Sequence, residues 1–420
     1  MWKVIAAGIS VLSILGVLPL CAQSAAPADH SNRLYGRVTT TDGDVYEGFI
    51  RWDRNEASWS DILSANKALP PENKRDAEDM GYWDHLGQQR TGTIDVFGLK
   101  IKYDRDSDFP SSVESGIRFG HISSLEVLGS DRARLVLKSG QEVELERGGD
   151  LGPSVRDIVV ADRRHGETRL KWKDVRTVDF MGARWSAEPA SARLYGTLVT
   201  RDGRRFTGFV AWDADEALGS DVLDGDRDGH RRKIPFREIA SIQRDGARGA
   251  RVSLRDGDVF VLRGTNDVDH SNSGIIVADT ALGEARVDWD AFDRLDLAPP
   301  PPLDFDAFGG GHPLRATVVT RSDSSYTGHI RWDNDEAYSW EMLNGDLDDG
   351  TQLSIEFGEI ASVDRITDRG CRVTLRDGRT FELRGSNDVD EGNKGIYIRL
   401  SDGRLEAVWW EDLARVEFLP

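Results

Sequence analysis

One pattern recurs three times along this chain, and a chain that repeats itself folds as an array of like units. Leu34-Tyr35-Gly36, Leu194-Tyr195-Gly196 and Leu314-Arg315-Ala316 open the three copies. Eighteen residues after each Leu stands a Trp: Trp52, Trp212 and Trp332. Each Trp is followed by Asp (53, 213, 333), by Glu (56, 216, 336) and by Leu (63, 223, 343). Phe119-x-x-Ile122, Phe236-x-x-Ile239 and Phe357-x-x-Ile360 come next. Leu137, Leu254 and Leu375 then each lead into a Gly three residues later, and Trp172, Trp289 and Trp410 close the copies. The copies occupy residues 33–181, 193–297 and 314–420, separated by linkers at 182–192 and 298–313. Copy 1 carries an insertion at about 66–115. Pro299–Pro302 favours an extended spacer and Gly309–Gly311 a loose one, so copies 2 and 3 are expected to move relative to each other.

A second symmetry lies inside each copy. Gly140 to Trp172, Gly257 to Trp289 and Gly378 to Trp410 each span 32 residues, and Gly203 to Phe236 spans 33. Six half-units follow. Within them apolar and polar residues alternate, the strand period, as in Arg251–Leu254 and Val259–Leu262 around Arg255-Asp256-Gly257-Asp258. Asp-Gly between two alternating runs predicts a hairpin, because glycine takes the positive φ of the turn. Five short strands, with one helical turn before the last, are expected in each half. The predicted class is all-β: three tandem repeats, each a pair of SH3-like small barrels, with few short helical turns. Gly48, Gly208 and Gly328 sit inside strands and predict bulges or sharp bends.

The first halves resemble the opening of Sm-like small barrels. In Val199-Thr-Arg-Asp202-Gly203-Arg-Arg-Phe206-Thr-Gly208-Phe-Val-Ala-Trp-Asp213, the Asp-Gly turn, aromatic, glycine and terminal Asp fall where that family has them. The resemblance covers short segments and implies fold rather than function. It does not extend to RNA reading. Arg263-Gly264-Thr265-Asn266 echoes the family's Arg-Gly signature but stands only six residues after an Asp-Gly turn, and the Asp…Asn pair is absent after Asp213.

Charge argues the same way. Lys plus Arg number 54 against 73 Asp plus Glu, a net charge of −19 over 420 residues. Nucleic-acid binding draws most of its affinity from cationic contacts, so no nucleic-acid partner is expected. Lys3, the apolar stretch Val4–Leu20 and the small residues Ala22, Ser24, Ala25 and Ala26 form a secretory signal over residues 1–26, cleaved within 22–26. A secreted or periplasmic location follows, with no membrane span after cleavage. Lipidation at Cys21 is disfavoured by the bulk of Leu20. The second of the two cysteines, Cys371, falls where the other copies have Ala133 and Ala250, so a small buried strand residue is expected.

Candidate chemistry is sparse. Gly264-Thr-Asn266-Asp267-Val268-Asp269-His-Ser-Asn272 recurs as Gly385-Ser-Asn387-Asp388-Val389-Asp390-Glu-Gly-Asn393. Clustered oxygens suit a hard cation, so Asp267, Asp269, Asn272, Asp388, Asp390 and Asn393 are candidate Ca²⁺ ligands. The competing reading is that they cap their own turns; copy 1 keeps only Asp150. Asp224-Gly-Asp226-Arg-Asp228-Gly229 begins like an EF-hand loop, but Pro235 stands where the closing Glu belongs, so a turn is expected. Asp53/Glu56 and their equivalents could be acid and base, although three copies point to turn and cap chemistry. None of the eight His forms a metal motif, and neither a nucleophile elbow nor a phosphate loop is present, so no catalytic residue and no organic cofactor are assigned. The recurring Trp residues read as core. Trp59 and Trp340 match each other but face Gly219 in copy 2; with Trp83 of the insertion they are the expected exposed partner contacts. The sequence thus reads as an exported non-enzymatic binding or scaffolding module for a protein or cell-envelope polysaccharide. A Ca²⁺-dependent binder of protein or carbohydrate is the alternative, and a hydrolase the third reading.

Overall fold

The computed structural model describes residues 30–83, 85, 92–96, 99–103, 110–183 and 191–420. Residues 1–26, expected as an export signal, and with them Cys21, lie outside these, as do most of linker 182–192 and parts of the insertion. The chain is all-β, with 52% strand and one α-helix among the described residues. Among the described residues no helix is long and apolar enough to cross a membrane.

Unit 1 holds β1 (Tyr35–Thr40), β2 (Val45–Trp52), β3 (Ile62–Ala68), β4 (Gly92–Val96), β5 (Leu99–Tyr103), β6 (Ser112–Arg118), β7 (Ile122–Val127), β8 (Arg132–Leu137), β9 (Glu142–Glu146), β10 (Ile158–Asp162), β11 (Gly166–Leu170) and β12 (Val175–Phe180). The insertion supplies α1 (Pro71–Asp79) and the separate hairpin β4–β5. Unit 2 holds β13 (Tyr195–Thr200), β14 (Arg205–Ala211), β15 (Val222–Arg227), β16 (His230–Pro235), β17 (Ile239–Arg244), β18 (Gly249–Leu254), β19 (Val259–Arg263), β20 (Ile275–Asp279), β21 (Gly283–Val287) and β22 (Phe292–Ala298). Unit 3 holds β23 (Arg315–Thr320), β24 (Ser325–Arg331), β25 (Met342–Asp346), β26 (Gln352–Glu356), β27 (Ile360–Thr367), β28 (Gly370–Leu375), β29 (Thr380–Arg384), β30 (Ile396–Leu400), β31 (Leu405–Val408) and β32 (Leu413–Phe418).

The two halves of a unit exchange strands rather than closing separately. In unit 1 the antiparallel order is β11-β10-β2-β1-β12-β7-β8-β9-β3-β6. The first-half hairpin β3–β6 is completed by the second-half strand β9, and the second-half hairpin β10–β11 by the first-half strand β2. The order reads the same from either end when the halves are interchanged. Unit 2 makes the corresponding pairings β14–β20 and β15–β19, and unit 3 makes β24–β30 and β25–β29. The two halves of each unit are therefore intertwined.

The recurring Trp residues mark that exchange. The first-half and closing Trp of each unit meet edge to face: Trp52 with Trp172 at 6.3 Å, Trp212 with Trp289 at 6.3 Å, and Trp332 with Trp410 at 6.4 Å. All six are buried, so each half contributes to one core, and each ring edge finds the geometry its quadrupole favours. Gly48, Gly208 and Gly328 serve the crossing itself. A Cβ there would lie 2.0 Å from the Ala161 oxygen, 2.2 Å from Ala278 and 2.2 Å from Arg399. They mark a close approach of strands from opposite halves rather than a bulge. Cys371 is fully buried in β28, as are Ala133 and Ala250 in its place, and burial pushes its thiol pKa up. The Asp224 segment forms β15 and turns into β16 at Asp228-Gly229, both with positive φ.

The three units lock together. β21 of unit 2 pairs with β26 of unit 3 from Gly283↔Ile355 to Arg286↔Gln352. Helix α1 reaches from unit 1 to unit 3. The Nδ2 of Asn73 donates to the Asn334 carbonyl at 2.9 Å, the Nδ2 of Asn334 returns to the Asn73 carbonyl at 3.1 Å, and Asp76 pairs with Arg331 at 2.9 Å. Arg118 of unit 1 touches both other units: it donates to the carbonyls of Asp279 and Thr280 and lies 2.9 Å from Glu356. The segment 298–313, expected as a loose spacer, is packed on unit 1. Phe305 lies 4.7 Å from Trp59, Phe308 meets His121 edge to face, and the Gly310 N–H donates to His121 Nδ1.

Candidate functional site

Each unit builds one cluster of carboxyls at the point where its two halves cross. The chain turns sharply after β2, β14 and β24. Trp52, Trp212 and Trp332 donate their backbone N–H to the carbonyls of Glu56, Glu216 and Glu336 at 2.8, 2.8 and 2.7 Å. Asp53, Asp213 and Asp333 take positive φ in that turn (47°, 54° and 47°), a conformation Asp tolerates better than most residues. The second-half loop closes over it. The indole Nε1 atoms of the same three Trp donate to the carbonyls of Asp150, Asp267 and Asp388 at 3.0, 2.9 and 2.9 Å. The side chains of those three Asp accept the N–H of Ser64, Asp224 and Asn344 at 2.7, 2.6 and 2.7 Å. The structure thus brings together two sequence features that stood apart, the Asp-x-x-Glu turn and the Asn-Asp loop.

The remaining loop residues cap their own backbone. Asp269 accepts from Ser271 N and Asp390 from Gly392 N; Asn272 accepts from Gly274 N and Asn393 from Gly395 N. Asn266 and Asn387 donate to Asp213 and Asp333. Each residue nominated for Ca²⁺ therefore has one side-chain oxygen accepting a backbone N–H. Among the described residues no set of three His, Cys, Asp or Glu side chains is placed to hold a metal ion.

Burial governs the electrostatics. It pushes the Glu216 carboxyl up to about 9, with Asp267 adding repulsion, and drives Glu56 and Glu336 well above the usual range. Burial likewise raises Asp150 and Asp267 to about 6 and Asp388 to about 7. A neutral Glu beside a carboxyl that titrates lower is the arrangement a buried acid pair adopts. One oxygen of each Glu, Oε2 of Glu56, Glu216 and Glu336, has no hydrogen-bond partner. Only the unit 3 cluster lines the junction cavity, about 480 Å³ in volume, where all three units meet.

Trp59 and Trp340 are corrected: neither is exposed. Both are buried, Trp59 against Phe180 and Phe305 and Trp340 beside Tyr338, with its Nε1 donating to Gln141 of unit 1. Unit 2 has Gly219 at their position, and the two Trp fill the seam between unit 1, the 298–313 segment and unit 3. Trp83 is half-buried against Tyr82, in the aromatic group that includes Tyr397 and Trp409.

Sequence reasoning missed one recurring device. Asp61, Asp221 and Glu341, nine residues after the Trp of each unit, each accept two backbone N–H groups of the preceding turn and bind a cation from another unit. Asp61 takes Arg193, Asp221 takes Arg51 and Glu341 takes Lys67. The recurring acid at a fixed offset was the available signal. No family model, curated protein or solved structure matches the chain.

Proposed function

We propose that the chain is an exported, non-enzymatic scaffold that holds a protein or a cell-envelope polysaccharide outside the cytoplasm. One observation carries this reading: two recurring sets of carboxyls, Asp61/Asp221/Glu341 and Asp150/Asp267/Asp388, are spent on holding the chain together. Asp61, Asp221 and Glu341 each tie a backbone turn to a cation of a neighbouring unit, and Asp150, Asp267 and Asp388 each tie one half of a unit to the other. Groups so committed are poor nucleophiles or general bases, since chemistry would require breaking the bonds that position the units. The same commitment favours the scaffold over the Ca²⁺-dependent binder, because a backbone N–H already takes one oxygen of each loop Asp.

The test is fractionation of the tagged chain in its own host. The scaffold reading expects a mature N-terminus within residues 22–26, recovery outside the cytoplasm, and migration in a complex larger than the monomer. An uncleaved cytoplasmic chain, or an exported chain that migrates as a free monomer, overturns it.

A further inference from the structure

Unit 1 departs from the other two units around its closing Trp. The residues one before, one after and four after that Trp are Lys171, Lys173 and Arg176 in unit 1. They are Asp288, Asp290 and Asp293 in unit 2, and Trp409, Glu411 and Ala414 in unit 3. Three cations thus stand where unit 2 has three carboxylates, in a chain of net charge −19. Lys171 is engaged, 2.9 Å from Asp157. Arg176 donates only to the Thr41 carbonyl. Among the described residues neither Lys173 nor Arg176 forms an ion pair, and both are exposed.

The facing loop changes from polar to apolar. Three residues after Asp150, Asp267 and Asp388 stand Pro153, His270 and Glu391; five after stand Val155, Asn272 and Asn393. In unit 2 the His270 N–H ties the loop to the Ala247 carbonyl at 2.9 Å, a bond for which Pro153 has no N–H. Asn272 and Asn393 each accept a glycine N–H at 3.0 Å, which Val155 cannot do. A groove of about 670 Å³, within the usual small-molecule range, lies between these two altered stretches. Its floor is Val155, Trp172 and Val175, all buried, with the half-buried Leu128 and the exposed Pro153 beside them. Trp172 Nε1 already donates to the Gly129 carbonyl, so the indole brings only hydrocarbon to the groove. Its ring is 3% exposed and gives a sugar no face to stack on.

We propose that this groove of unit 1 binds a free medium-chain alkyl carboxylate, its tail on the apolar floor and its head between Lys173 and Arg176. The tail removes hydrocarbon surface from water, and the head supplies the anion that both cations lack. A membrane surface fits less well. Recruitment to anionic lipid draws on clusters of about 4–8 basic residues, whereas two unpaired cations stand here in a chain of net charge −19. Such binding needs neither export nor a macromolecular partner.

Calorimetric titration of the purified full chain with decanoate tests it. Butyrate carries the same head without the tail, and decyltrimethylammonium the same tail with the opposite charge. Saturable one-site binding of decanoate is expected, about tenfold weaker for octanoate because two CH₂ groups leave the floor, and none for the other two probes. K173D/R176D places acids at two exposed positions, as unit 2 has them, and should weaken decanoate about tenfold or more with the melting temperature kept. R232D/K233D makes the same change in net charge on β16 of unit 2, also at exposed positions, and should leave the affinity unchanged. Absence of saturable decanoate binding overturns the proposal, and binding to phosphatidylglycerol vesicles in its place would assign the groove to a membrane surface. Equal binding of butyrate or of decyltrimethylammonium overturns it too. So does an affinity that K173D/R176D leaves unchanged or that R232D/K233D lowers equally.

Discussion

The Arg193 guanidinium grips the Asp61 carboxylate with two hydrogen bonds, Nε to Oδ2 at 3.2 Å and Nη2 to Oδ1 at 3.1 Å, and both side chains are almost wholly buried. Asp61 Oδ2 also accepts the N–H of Ala57 and Ser58 at 2.7 and 2.8 Å, so one carboxylate holds a turn of unit 1 and the start of unit 2. Removing one partner of a buried pair strands the other charge, at a cost of about 3–5 kcal/mol. R193M is therefore expected to lower the urea midpoint by that amount of stability. D61N should also destabilise, and the double variant should lose less than the two singles added together, because neither charge is then left alone. Additive losses would mean that the pair does not couple the units.

Glu216 gives the chain a specific pH dependence. Its carboxyl rises from 4.5 to about 9 on folding, through burial first and Asp267 second. Between those values the folded state holds a proton that the unfolded chain has released, so this group's contribution falls as pH climbs through the window. E216Q keeps the neutral shape and cannot ionise. Its melting temperature should match the parent near pH 5 and exceed it increasingly toward pH 9. Parallel melting curves across that range would show that Glu216 ionises freely in the folded chain.

Much of the local structure was legible. Asp-Gly turns between alternating runs announce hairpins, and all six recurring Trp residues fall in cores as their spacing implied. Strand partners were not legible. Alternation fixes which face of a strand is buried but not which strand lies beside it, so β3 is read equally well beside a strand of its own half as beside β9. The two acidic features of the site were both visible, yet Glu216 and Asp267 meet only because the halves cross. Arg193 and Asp61 are 132 positions apart, and no local pattern links them. Trp59 and Trp340 were misread for a related reason: a residue at a seam between units breaks the repeat just as a free contact residue would.

The acidic loops make a direct prediction about calcium. Asp269 and Asp390 each hold a two-residue turn through a backbone N–H, and a cation would have to replace those bonds. Titration with millimolar Ca²⁺ should give no saturable heat and no rise in melting temperature. A one-site isotherm abolished by replacing Asp388 and Asp390 with Asn would restore the metal reading.

Gly283 is a point of close approach between units 2 and 3. A Cβ there would stand 2.0 Å from the Ser354 oxygen, and the residue has φ of 137°. Gly166, its counterpart in unit 1, has φ of 73° with nothing within 4 Å. G166A should therefore cost only the backbone strain, about 1–2 kcal/mol. G283A must also push β21 off β26. Hydrogen exchange should accelerate at residues 283–287 and 352–356 in G283A and stay unchanged there in G166A. Retained protection in G283A would show that the pairing tolerates a side chain.

The 298–313 segment tests whether the units are strung or clamped. Phe308 packs edge to face on His121 at 5.2 Å and against Gly120, and its carbonyl accepts from Lys138 at 3.1 Å. His121 in turn accepts from Gly310 at Nδ1, which leaves Nε2 to donate to Glu356 at 3.2 Å. Burial alone would raise the Glu356 carboxyl, but Arg118 and His121 outweigh it and hold it below its usual range. Phe308 therefore clamps the segment onto unit 1 and shields the ion pair that joins units 1 and 3. A large-to-small change at such a site costs about 3–5 kcal/mol. A broad-specificity protease should leave 298–313 intact in the parent and cut it readily in F308A, giving a unit 3 fragment on a denaturing gel. If the parent is cut there as fast as the variant, the prolines and glycines act as the free spacer that their composition suggests, and the contacts with unit 1 hold nothing in place.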